Sequence, residues 1–389
     1  MKIIQLLLPL CLVVLECRAQ SSNSGDAWLL QNLNKKKGPN LSQTGSPTSC
    51  TTDNKSPGKC VKPAQCQQQP PEIDLEKLGI LRDKHCHYLK MCCPLSQVIS
   101  GTTVTPAPPA PKKSGCGWSN PGVYAFRAKT QNHAEFGEFP WMIALIRKSS
   151  STWSQSDYLG GGTLIHKSVV MTAAHKVKPI NYQPSMVICR LGEWDTQTTN
   201  EQYAHEDKSV KKIIVHEQFN SKLNSNNIAL LITTSEFDLS PPHVGIACLG
   251  RRVPQPGTNC YSMGWGKDFN NNMEYAVWLK KVSIPLVEHS DCEYSLQQSL
   301  LGGSYRLHNT HLCAGGNGQD TCKGDGGSSL VCKTPTSRAD PDRYVVYGMV
   351  SFGVDCKGQY PAVYADVSKM ITWISNKFQD EGLDLSFLP

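Results

Sequence analysis

A chain of 389 residues with 39% apolar content can bury a full hydrophobic core and still leave material for a second module. Its net charge of +7 comes without a nucleic-acid-binding motif, and beyond the N-terminus no run is long and apolar enough to cross a bilayer. Neither a nucleic-acid partner nor a membrane span is therefore expected.

Residues 1–19 join Lys2, an apolar stretch from Ile3 to Leu15, and a Cys17-Arg18-Ala19 end that suits cleavage. This predicts a signal peptide, and hence a secreted, extracellular protein in which disulfides are the default state of cysteine. An N-terminal extension over 20–49 follows, with the basic run Lys35-Lys36-Lys37. Two acceptors for N-glycosylation stand on this side of the chain, Asn40-Leu41-Ser42 and Asn54-Lys55-Ser56.

Of the 17 cysteines, Cys11 and Cys17 leave with the leader, so an odd number remains. Six of those, Cys50, Cys60, Cys66, Cys86, Cys92 and Cys93, crowd into a segment too short for a core of its own, which would need stapling. Cysteine count alone leaves the pairing open. The equal gaps between Cys60 and Cys66 and between Cys86 and Cys92, closed by the Cys92-Cys93 doublet, resemble a clip domain over 50–93. That resemblance implies the pairs Cys50–Cys92, Cys60–Cys86 and Cys66–Cys93.

Residues 94–115 are rich in proline and threonine and are expected to form a semi-extended linker. Its Lys112-Lys113 pair would be accessible to a trypsin-like protease. From Cys116 the pattern turns to alternating apolar runs broken by turn residues, as an all-β barrel requires. Phe139 to Ile146 is the clearest strand, with others over Tyr158 to Ile165, Val187 to Leu191, Tyr261 to Trp265 and Val345 to Phe352. Tyr364 to Phe378 reads as a strand end running into a closing helix. The domain is placed at 116–379, with a tail over 380–389.

Three separated motifs carry the chemistry: Thr172-Ala173-Ala174-His175, Asn227-Ile228-Ala229-Leu230-Leu231, and Cys322-Lys323-Gly324-Asp325-Gly326-Gly327-Ser328-Ser329. In this order and spacing they resemble the base, acid and nucleophile segments of a chymotrypsin-like serine protease. The resemblance implies an all-β fold of two six-stranded barrels with a C-terminal helix, preceded by the clip domain. In such an enzyme a serine attacks, a histidine takes its proton and an aspartate holds the histidine. Here the triad-equivalent positions are His175, Asn227 and Gly326, so only the base is kept. Cys322 and Cys332 bracket the loop at the family's spacing, so Ser328 and Ser329 are expected on the strand leading into the core and not at the attacking position.

The same resemblance maps oxyanion-hole donors onto the backbone amides of Gly324 and Gly326, and a specificity pocket onto Asp320, Gly353 and Ala362. It implies the disulfides Cys116–Cys248, Cys260–Cys332, Cys292–Cys313 and Cys322–Cys356. Gly160 and Lys176 stand where the family closes its histidine loop with a bridge. Cys189 is left over, either as a buried thiol or as a link to another chain. Activation in the family frees a terminus whose ammonium pairs with the aspartate before the nucleophile. That terminus would be Ala128-Lys129-Thr130-Gln131 here, poorly suited to burial, which leaves Asp325 without its usual guest. No cofactor is expected, with calcium the one candidate, at a shortened loop holding Glu193, Asp195 and Glu201. Basic pairs at Arg251-Arg252 and Lys280-Lys281 are expected to be solvated.

The combination resembles non-catalytic clip-domain serine protease homologues, similar to prophenoloxidase-activating cofactors. It implies a binding cofactor, adaptor or regulator in an extracellular proteolytic cascade of innate immunity and melanization. Expected partners are cascade proteins such as prophenoloxidase or its activating protease. The alternative is a weak or unconventional trypsin-like endopeptidase.

Overall fold

The computed structural model describes residues 49–52, 55–61, 66–67, 91–98, 114–120, 132–148, 157–197, 201, 203–268, 273–333, 342–385 and 387–388. The expected signal peptide, nearly all of the N-terminal extension, Asn40, Asn54, Cys86, most of the linker and the Ala128 to Gln131 segment lie outside them.

The cysteine-rich segment forms an antiparallel sheet of three short strands, β1 (Ser49–Thr51), β2 (Pro57–Val61) and β3 (Met91–Pro94). Successive strand residues face opposite sides, so the Cys92-Cys93 doublet sends one sulfur to each. The structure closes Cys50–Cys92 and Cys66–Cys93. Cys60 is also disulfide-bonded. Among the described residues of this segment Val61, Cys66 and Cys93, with Val98 against them, make a small core, which the covalent staples reinforce. Gly58 sits where no side chain fits, because a Cβ would lie 2.7 Å from Cys92 Sγ and 2.8 Å from the Cys93 carbonyl oxygen.

In the larger domain, β4 (Met142–Arg147), β5 (Tyr158–His166), β6 (Val169–Thr172), β7 (Val187–Leu191), β8 (Glu206–Val215) and β9 (Ala229–Thr233) close a barrel in the order β4-β5-β6-β9-β8-β7. The second barrel uses β11 (Asn259–Gly264), β14 (Lys280–Val287), β15 (His311–Gly315), β16 (Ser329–Lys333), β17 (Tyr344–Phe352) and β18 (Pro361–Asp366). They run β17-β16-β11-β14-β15-β18, and pairing of β17 with β18 closes the ring. A two-residue strand, β10 (Cys248–Leu249), adds in parallel to β17, while β12 (Lys267–Asp268) and β13 (Glu274–Tyr275) make a separate hairpin. The double six-stranded barrel expected from the sequence is therefore present.

Among the described residues, helices α1 (Ala174–Val177), α2 (His289–Gln297) and α3 (Val367–Asp380) accompany the barrels. Val367, Met370, Ile371, Ile374 and Phe378 of α3 are buried, the spacing that aligns one helical face with a core. Asp366 caps its start by accepting from the Ser368 backbone N–H at 2.9 Å. The structure pairs Cys116–Cys248, Cys260–Cys332, Cys292–Cys313 and Cys322–Cys356. Cys189 is a free thiol, fully buried in the first barrel's core, so of the two readings open from sequence, the intermolecular link would require that core to open. Among the described residues no helix is long and apolar enough to cross a membrane.

Candidate functional site

The histidine is positioned by the short turn after β6. Ala173, Ala174 and Val177 are fully buried, which fixes α1 on the first barrel and turns His175 toward the second. Asn227 stands two residues before β9, also fully buried, beside buried Ile228. Loop 322–328 is tied by Cys322–Cys356 at one end and runs into β16 at the other.

These elements bring the three triad-equivalent positions together. A Cβ built on Gly326 would lie 2.9 Å from His175 Nε2, so this is the residue that faces the imidazole. Ser328 is packed elsewhere: its hydroxyl blocks the space beside Gly161 and has no hydrogen-bond partner. Ser329 directs its hydroxyl at Met263 Sδ, 3.2 Å away.

From sequence, Asn227 could present either end of its amide to the imidazole; the structure orients it. Its amide oxygen accepts from the His175 backbone N–H at 3.0 Å. The amide nitrogen must then face the ring, 2.9 Å from Nδ1, and donates its other hydrogen to Ser351 Oγ at 2.8 Å. Nδ1 is thereby an acceptor and the ring proton resides on Nε2, the tautomer that cannot take a proton from a nucleophile at position 326. Burial lowers the imidazole pKa to about 4, with the charge of Lys176 adding to the effect. The ring is neutral near pH 7.

Lys176 crosses the gap that the family bridges with a disulfide. Any Cβ on Gly160 would collide with the Lys176 stem, and one on Gly326 would lie 3.0 Å from its Cδ. Burial lowers the ammonium pKa to about 8, offset in part by attraction to Asp325. Gly324 adopts φ of +108°, and a side chain there would press on Tyr275 and the Gly266 backbone, so this loop requires glycine independently of chemistry.

Of the specificity-pocket residues, Gly353 and Asp320 are neighbours. A Cβ on Gly353 would lie 3.8 Å from Asp320 Oδ2, and Ala362 is buried within the β15–β18 ladder. Burial raises the Asp320 pKa to about 8, while Oδ1 finds no hydrogen-bond partner. A neutral acid is a weak attractor for lysine or arginine.

Asp325 is not left without a guest. Its Oδ2 accepts from Lys280 Nζ at 3.1 Å and from the Cys322 backbone N–H at 2.9 Å, while Oδ1 accepts from the Gly266 N–H at 2.7 Å. The side chains of Lys280 and Asp325 are 9% and 2% exposed. Lys281, the other member of the pair expected to be solvated, binds Glu138 at 2.7 and 2.9 Å. Sequence reading missed both because each ion pair joins residues far apart in the chain.

At the calcium candidate, Glu193 and Glu201 come together with His205, whereas Asp195 turns away to accept from Trp278 Nε1 at 3.0 Å. Burial and the neighbouring Glu193 raise the Glu201 pKa to about 9. Arg190 Nη1 and His205 Nδ1 both stand 3.2 Å from Glu193 Oε2. A guanidinium and an imidazole beside a protonated acid do not fit calcium, which requires a cage of oxygens.

The trypsin family model matches residues 129–374. Phenoloxidase-activating factor 2 of Galleria mellonella is 39% identical over 72% of this chain and 95% of its own length. Two Anopheles gambiae proteins named inactive CLIP domain-containing serine proteases are also similar. A28 is 33% identical over 77% of this chain and 80% of its own length, and A8 is 35% identical over 74% and 77%.

Proposed function

The chain belongs to the clip-domain serine protease homologues of the trypsin family, and on that premise we propose that it is a secreted, non-catalytic binding cofactor in an extracellular proteolytic cascade. The observation that carries this reading is the residue facing the imidazole: Gly326 offers no atom that can attack a carbonyl, and Asn227 directs the histidine proton to the wrong nitrogen. Without a nucleophile there is no acyl-enzyme route. A cleft that cannot turn over can still hold a protein segment. The names of the relatives, one a phenoloxidase-activating factor and two inactive CLIP proteases, support a role in the phenoloxidase branch of immunity. Its partner would then be prophenoloxidase or the protease that activates it.

The test uses secreted, processed protein. A fluorophosphonate probe is expected to leave it unlabelled while immobilised protein retains a cascade component saturably. Stoichiometric labelling at a serine, abolished by His175→Ala, would overturn the reading in favour of a weak endopeptidase.

A further inference from the structure

The uncut chain already contains an ammonium where activation of a protease would deliver one. Lys280 opens β14, whose first residues are held to the segment upstream of the barrel: the Lys281 N–H donates to the Asn132 carbonyl at 2.9 Å and the Ala134 N–H to the Leu279 carbonyl at 2.8 Å. From that fixed start the Lys280 side chain donates to the Lys267 carbonyl at 2.9 Å and to Asp325 at 3.1 Å. Gly264 and Gly266 allow the Asp325 carboxylate this close, since a Cβ on either would collide with it. Asp325 in turn holds the backbone of Cys322 and Gly266, so one carboxylate joins the nucleophile loop, the 264–268 segment and β14.

We infer that Lys280 permanently takes the place of a cleavage-freed terminus, so that the loops around Asp325 hold their mature arrangement before any cut. A new terminus at Ala128 would have to expel Lys280 and leave its ammonium buried without a counter-charge, a strongly unfavourable exchange. Cutting after Arg127 therefore leaves the cleft unchanged, and any gain of function on processing arises outside it. This inference deepens the binding role proposed above and rests on it only for the purpose of the loops. Its test reads the loops directly, so that loss of the partner and failure of the lock are separate results.

Amide hydrogen exchange of full-length protein, before and after a cut mapped to Arg127, measures the lock. In wild type, peptides covering 264–268 and 318–325 are expected to exchange within about twofold of each other in the two forms. Lys280→Met should speed exchange there at least about tenfold in the uncut chain, with Lys280→Arg closer to wild type. A cut that slows exchange in these peptides tenfold in the wild-type protein would overturn the inference, and this comparison does not depend on any variant folding. Unchanged exchange in folded Lys280→Met would overturn it as well.

Discussion

Asn227 Nδ2 lies 2.9 Å from His175 Nδ1, with the amide oxygen already held by the histidine's own backbone N–H. The pair is thus a stable hydrogen-bonded unit that opposes the catalytic tautomer. Its pH behaviour follows. A histidine whose folded pKa lies below its unfolded value of about 6.5 favours folding fully above that pH. The contribution is lost as pH falls toward the folded value of about 4. Asn227→Asp supplies the missing anion and should raise the titration midpoint of His175 by about 2 pH units and move its proton to Nδ1. Long-range proton–nitrogen spectra of the imidazole between pH 3 and 8 would show both changes, and a ring already protonated on Nδ1 in the wild type would contradict the assignment.

Restoring the two lost groups, Gly326→Ser with Asn227→Asp, should not restore a protease. The new Cβ would press on His175 Nε2 at 2.9 Å and Lys176 Cδ at 3.0 Å. The acid at the base of the pocket, Asp320, is held largely neutral by burial near pH 7. Turnover of arginyl amide substrates is expected to stay at least about 10³-fold below that of a competent relative. Adding Lys176→Ala should recover about tenfold by freeing the serine rotamer. Steady-state kinetics on the double and triple variants decide this, and trypsin-like turnover in the double variant would refute it.

Asp320 gives a stability prediction of opposite sign to that of His175. Its folded pKa of about 8 lies above the unfolded value, so ionisation opposes folding increasingly as pH rises from about 4 to about 8, and by a constant amount above that. Asp320→Asn removes the penalty. Thermal unfolding should show little change near pH 3.5 and a gain of about 2–4 °C at pH 8.5. Equal melting temperatures at both pH values would mean that the carboxyl is solvated.

In the clip module, Gly58→Ala would drive a methyl toward Cys92 Sγ and the Cys93 carbonyl oxygen, where a Cβ would lie at 2.7 and 2.8 Å. Since the sheet is stapled by the bonds of Cys92 and Cys93, the expected result is scrambled pairing and poor yield, with the protease-like domain intact. Disulfide mapping of the secreted protein checks it. A native map at normal yield would show that the sheet can widen.

The barrels and the cleft were legible because the three motifs and the cysteines are local signals that a homologous fold holds in register. Gly326 could be placed from its own motif, whose register the bracketing Cys322 and Cys332 hold. What sequence could not supply was the direction of side chains across the fold. The amide of Asn227 is oriented by a backbone N–H 52 residues earlier, and nothing in an Asn-Ile-Ala run encodes that. Lys280-Lys281 has the composition of a solvated pair. Yet the alternation along β14 sends one inward to Asp325, while Glu138 captures the other from a distant turn. The surroundings of the calcium candidate were hidden for the same reason, since Arg190 reaches Glu193 from the preceding strand and Asp195 faces a tryptophan.

The Cys116–Cys248 bond gives proteolysis two topologically distinct results. A nick between its two cysteines yields two polypeptides that still travel as one molecule. A nick ahead of Cys116, as at Lys113, parts the knotted module from the barrels, provided no other link joins them. The position of a single peptide bond thus selects between a tethered heterodimer and two independently diffusing products, a choice that gels run with and without reductant would display.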